Sequence, residues 1–142
     1  MPGSNQGDGS RRGPGGLRRP GFPAGGVRRA RTGRDLGVEG ETRAADWYVA
    51  AGCQILERNW RCAEGEIDLL CRDGRSLVVC EVKARSSERF GRPADAVVRS
   101  KQRRLRRLAA RWLAQQDERF DEVRFDVATV SAGRVAVIRD AF

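Results

Sequence analysis

An α/β domain is predicted from three observations: a helical stripe around residue 45, two alternating apolar segments hinged on a tight-turn signal near residue 74, and a stronger helical stripe from residue 100 followed by another pair of alternating segments. In chain order this reads as a helix, an antiparallel three-strand meander, a crossover helix, a strand parallel to the third, and a final edge strand. The expected architecture is a mixed central sheet, an αβββαβ core plus the edge strand, flanked by helices. The crossover should be right-handed. Of the 142 residues, 35–142 suffice for one buried core.

Each element has a local reason. Residues 35–51 place Ala44, Ala45, Tyr48 and Val49 on one helical stripe, with Gly52 as the stop. Glu41 lies on that stripe one turn before Ala45, so its carboxylate should point to the core side. Residues 54–60, 66–72 and 76–83 read as strands, with Asp73-Gly74 as a two-residue hairpin turn, and residues 85–99 read as a loop. Ser100 should cap a helix reaching about residue 116, whose Leu105, Leu108, Ala109, Trp112 and Leu113 follow the i, i+3, i+4, i+7, i+8 rule. Residues 123–130 and 134–138 alternate as strands around Ala132-Gly133.

Residues 1–34 hold ten of the 17 glycines, four of the five prolines and almost no large apolar side chain, so they should be a disordered tail ahead of the 35–142 domain. This segment reads either as an Arg-Gly arm on nucleic acid or as an inert extension, or a start codon placed too early. Formal charge is +9, of which the tail supplies +7 (eight Arg, one Asp) and the domain +2. A basic chain suggests polyanionic partners without specifying a fold.

Histidine is absent, which excludes every mechanism that needs an imidazole base or ligand and leaves those built on carboxylates, a divalent cation and lysine. Cys53, Cys62, Cys71 and Cys80 lack the close pairing of a zinc knuckle, and are expected to be reduced, small apolar residues. With no apolar run near 18 residues and no hydrophobic leader, a cytoplasmic location is expected.

With Asp73-Gly74 as the turn, Asp68 opposes Val79 and Glu66 opposes Glu81, and residues 66, 68, 70, 77, 79, 81 and 83 share one face. Ile67, Leu69, Cys71, Val78, Cys80 and Val82 form the other, wholly apolar face. Glu66, Asp68, Glu81 and Lys83 then gather at the open end of the hairpin, where like charges call for a counter-ion, and hard oxygen ligands suit Mg²⁺ or Mn²⁺. The alternative is an edge patch neutralised by Lys83 and neighbouring arginines. The chain has 26 Arg but only Lys83 and Lys101 as lysines, so Lys83 reads as a place that needs a compact amine, unless Arg-biased codon usage explains the ratio.

These residues resemble the PD-(D/E)xK nuclease superfamily, which combines a helix Glu, a strand Asp and Glu-x-Lys on the next strand. The likeness is closer to the YraN-like family of bacterial proteins, relatives of archaeal Holliday-junction resolvases. It is carried by Gly37-x-x-Gly40-Glu41, Arg58-Asn59-Trp60-Arg61, Gly65-Glu66-Ile67-Asp68-Leu69, Glu81-Val82-Lys83-Ala84-Arg85, Phe90-Gly91, Lys101-Gln102-Arg103-Arg104-Leu105 and Arg124-Phe125-Asp126-Val127. The resemblance implies a restriction-endonuclease-like fold and a divalent-metal-dependent endonuclease acting on DNA, with branched DNA as a substrate and a homodimer if it is a resolvase. It implies Asp68 and Glu81 as metal ligands, with Glu41 and the Val82 carbonyl adding to them. Lys83 would orient water and stabilise charge, and Gln102 would stand near the site. Glu66 is either a ligand or the partner of an Arg. The alternative is a nucleic-acid-binding module that keeps the fold without catalysis.

Between Asp95 and Asp117 there is no acid and there are seven cations. Those in the first turns of the helix oppose its dipole, at about 0.3–1 kcal/mol each when exposed, so a phosphate backbone is the expected partner of Lys101, Arg103, Arg104 and Arg107, extended by Arg85, Arg89 and Arg92. An ordinary solvated Arg face remains the alternative. Trp47, Trp60 and Trp112 are expected to pack in the core rather than stack on bases.

Overall fold

The computed structural model describes Gly3, residues 32–85 and residues 97–142. The expected disordered tail therefore falls almost wholly outside the described residues, as do Arg89, Arg92 and most of the expected loop. Contacts set Arg31–Phe142 apart as a unit of its own.

Within it the elements run α1 (Gly33–Ala50), β1 (Gln54–Cys62), β2 (Gly65–Asp73), β3 (Ser76–Arg85), α2 (Arg99–Ala114), β4 (Glu122–Ser131) and β5 (Arg134–Ile138). The five strands form one sheet in sequence order. β1–β2, β2–β3 and β4–β5 are antiparallel, and β3–β4 is parallel across the α2 crossover. This is the predicted topology. α1 starts two residues early because Thr32 and Asp35 form a reciprocal capping box ahead of it. α2 lacks the cap expected of Ser100: Val98 is its N-cap, with no side-chain bond, and Gln102 Nε2 donates instead to the Val97 carbonyl. Among the described residues no helix is long and apolar enough to cross a membrane.

Both faces of the sheet are covered, as a parallel pair requires. α1 lays Ala44, Ala45 and Tyr48 on Leu69, Cys71, Val78, Cys80, Ala128 and Val130. α2 lays Leu105, Leu108, Ala109 and Trp112 on Ile67, Leu70, Leu77, Val79, Phe125 and Val127. Each fully buried Leu or Ile contributes roughly 1.5–3 kcal/mol. Trp60 and Trp112 are buried as expected, Trp47 packs edge-on against Tyr48, and all four cysteines are free thiols. Gly40 lets α1 approach β3 closely, since a Cβ there would sit 3.0 Å from that of Ala84.

Two expectations about the hairpin need correction. Gly74 and Arg75, not Asp73 and Gly74, form the turn: Asp73 pairs with Ser76, and Leu70 with Val79. Gly74 takes φ +60°, which suits the first central position of a type II′ turn. The register thus moves by two residues, keeping the alternation but bringing Asp68, rather than Glu66, to the level of Glu81. The second correction concerns Ile67, which packs on the α2 side while Leu69 packs on the α1 side. Alternation breaks at Asp68. The neighbouring strand breaks with it: Asn59 adopts φ +53°, so Arg58 reaches Thr42 of α1 whereas Trp60 joins the α2 core.

Candidate functional site

The β2–β3 ladder ends at Leu69–Cys80. Beyond it the strands part, and Asp68, at the break in alternation, turns its carboxylate into the gap, where Oδ2 accepts the Val82 N–H at 2.8 Å. Glu81 follows on β3 and is only 6% exposed. Its Oε1 receives the ammonium of Lys101 from α2 and stands 3.5 Å from Lys83 Nζ. The two lysines of the chain therefore share one carboxylate oxygen. Lys101, expected on the nucleic-acid face, is part of the acidic centre, which gives a cation in the first turn of α2 a reason that helix stability does not.

The electrostatics are uneven. Burial first, then the charges of Glu81, Glu41 and Glu66, push the Asp68 carboxyl up to about 7, against the lowering effect of the Val82 N–H. Burial and the neighbouring Lys101 hold Lys83 below the usual lysine range, although Glu81 acts the other way. For Lys101 burial is outweighed by the hydrogen bond and attraction of Glu81, so its charged form is favoured. Of the two amines, Lys101 is the committed cation and Lys83 the more readily neutralised.

Glu41 reaches the site's field from α1, half-buried and held close by the Gly40 approach. Glu66 takes the second of its two expected roles, pairing with Arg61 at 3.0 Å. A cavity of about 430 Å³ opens on the centre, lined by Arg61, Glu66, Asp68, Glu81, Lys101 and Arg104. Arg103, Arg104 and Arg107 are exposed on α2, and Arg85 is exposed at the end of β3. Gln102 stands next to Lys101, but its amide serves the Val97 carbonyl. Sequence reasoning missed the role of Lys101 and the wall formed by Arg61. The scarcity of lysine was the signal for the former.

Three carboxylates, of Glu41, Asp68 and Glu81, form an oxygen set of the kind hard divalent cations prefer. Among the described residues, however, no three Cys, Asp or Glu side chains are drawn close enough to hold an ion as they stand. The residues fit such an ion in chemistry, and Lys101 is the cation that stands on Glu81.

A mixed sheet covered by one helix on each face, with an Asp and a Glu-x-Lys facing each other where two strands part, defines the restriction-endonuclease-like proteins of the PD-(D/E)xK superfamily. Residues 40–130 match the family described as Uncharacterised protein family UPF0102, a member of that superfamily. UPF0102 proteins of Beutenbergia cavernae and Frankia casuarinae are 53% and 54% identical to this chain, over 73% and 75% of its length and 88% and 95% of theirs. One from Mycolicibacterium vanbaalenii is 50% identical over 70% of this chain and 83% of its own. The chain belongs to the UPF0102 family.

Proposed function

We propose that this protein is a divalent-metal-dependent endonuclease that hydrolyses DNA phosphodiesters, with branched or otherwise structured DNA as its substrate. The observation that carries this proposal is the meeting of Asp68 and Glu81 on one cavity where β2 and β3 part, with Lys83 beside Glu81 and with Lys101, Arg61 and Arg104 on the cavity wall. Asp68 and Glu81 would hold Mg²⁺ or Mn²⁺, with Glu41 and the Val82 carbonyl as further oxygens. When bound, the ion supplies Lewis-acid neutralisation of charge on the scissile phosphate. Lys83, two residues from Glu81 on the same strand, orients the attacking water and stabilises the charge that builds on phosphorus. Gln102 fixes the first turn of α2 and so positions Lys101. Arg85, Arg103, Arg104 and Arg107 bind flanking phosphates, with Arg61 on the cavity wall.

The test is incubation of purified protein with Mg²⁺ or Mn²⁺ on nicked, flapped and four-way DNA, beside Asp68→Ala and Lys83→Ala. Cleavage by wild type and its loss in both variants is the expected result. A second reading, a nucleic-acid-binding module without catalysis, is favoured by the neutralisation of Glu81 by two lysines. Binding without cleavage, unchanged in both variants, would establish it instead.

A further inference from the structure

We infer that Lys101 is the resident cation of this site: it holds Glu81 while no divalent ion is bound, and passes to the phosphate backbone of the nucleic acid when one binds. This rests on the nuclease reading above and adds a coupling between ion and substrate. A carboxylate as buried as Glu81 is costly without a partner, so a cation must stand on it in either state. Lys83 shares its strand and keeps its place beside it. Lys101 comes from a different element, α2, on a flexible four-carbon stem. It lines the cavity with Arg61 and Arg104, so a phosphate drawn there by the two guanidiniums meets the ammonium released from Glu81. The choice of amine is also explained. A guanidinium would grip the carboxylate with two parallel bonds, whereas an ammonium is a point charge that exchanges one oxygen for another, and this chain uses Arg for 26 of its 28 cations.

The test is titration of the full chain with Mn²⁺ by calorimetry, without DNA, for wild type, Lys101→Met, Lys101→Gln and Lys101→Arg. Both neutral variants should bind Mn²⁺ at least about tenfold more tightly than wild type, and the Arg variant should not. Neutral variants that bind where wild type does not would support the inference equally. Equal or weaker Mn²⁺ binding in both, with wild type still binding, overturns the exchange and leaves the nuclease reading standing. Absence of Mn²⁺ binding in every form removes both. In Ca²⁺ against EDTA, DNA affinity by fluorescence anisotropy should rise by a larger factor for wild type than for Lys101→Met, which keeps only the ion's own contact with phosphate. A rise of the same size in both overturns the coupling.

Discussion

On the α1 face of the sheet, where β4 pairs with Cys80, the Asp126 carboxylate accepts four hydrogen bonds among the described residues, from Tyr48 Oη, from Nε and Nη2 of Arg124 and from the Asp140 amide. At the open end of the β2–β3 pair Asp68 accepts one, from Val82, and has three acids around it. Asp126 is completely buried and Asp68 half-buried. The first is a finished structural centre: Arg124 extends it to Asp73 at 2.9 Å and ties β4 to the hairpin. The second is short of donors, the condition in which a carboxylate still has something to bind. One helix serves both acids, with Glu41 in the field of Asp68 and Tyr48 bonded to Asp126. Saturation separates a structural acid from a chemical one more sharply than burial does.

Four measurements sharpen or break this contrast. The largest effect is expected from Asp126→Ala, which strands Arg124 and Tyr48 and should lower unfolding free energy by about 3–5 kcal/mol in urea titration. A loss below about 1 kcal/mol would mean that the centre is not structural. Next come Asp68→Ala and Lys83→Ala, each expected to slow DNA cleavage by roughly a hundredfold or more, about 3 kcal/mol of barrier, while the melting temperature holds or rises. Asp68→Asn should then show a pH-dependent gain in stability. Because the folded pKa, about 7, lies above an unfolded value of about 4, ionisation penalises the folded state. The penalty is absent below about pH 4, grows between the two values and is complete above pH 7. The variant should therefore be more stable than wild type by roughly 1–3 kcal/mol at pH 8, with no difference at pH 4, as read from thermal melts. The smallest effect belongs to Tyr48→Phe, about 1 kcal/mol at neutral pH, since Arg124 and the Asp140 amide still hold Asp126.

Strand order, the parallel crossover and the two-sided core were legible because period-2 and period-3.6 patterns report burial directly, as Leu105, Leu108 and Trp112 did on α2. The turn was misplaced by one residue because Asp73-Gly74 and Gly74-Arg75 offer the same glycine to two turn types, and only packing chooses between them. The break at Asp68 and Asn59 had no periodic signature, since a single left-handed Asn in a strand leaves composition unchanged. Asp68, Glu81 and Lys83 could be read from one hairpin. The link from Glu81 to Lys101 joins a strand to a helix, and no local spacing encodes it. Asp126 was visible only as part of a family phrase, because its partners are scattered between Tyr48 and Asp140.

The parallel β3–β4 ladder pairs residues 46 apart in sequence, from Ser76–Glu122 to Arg85–Ser131. Non-local pairing of this kind slows folding, because the intervening chain must close before any rung forms. The β1–β3 meander can assemble ahead of that closure, and during the interval Glu81 has no helix above it and no Lys101. Docking of α2 then covers Glu81 and delivers Lys101 in one step, so stopped-flow refolding of Lys101→Met, which must bury that carboxylate with Lys83 as its only lysine, should be slower than wild type through the closing phase.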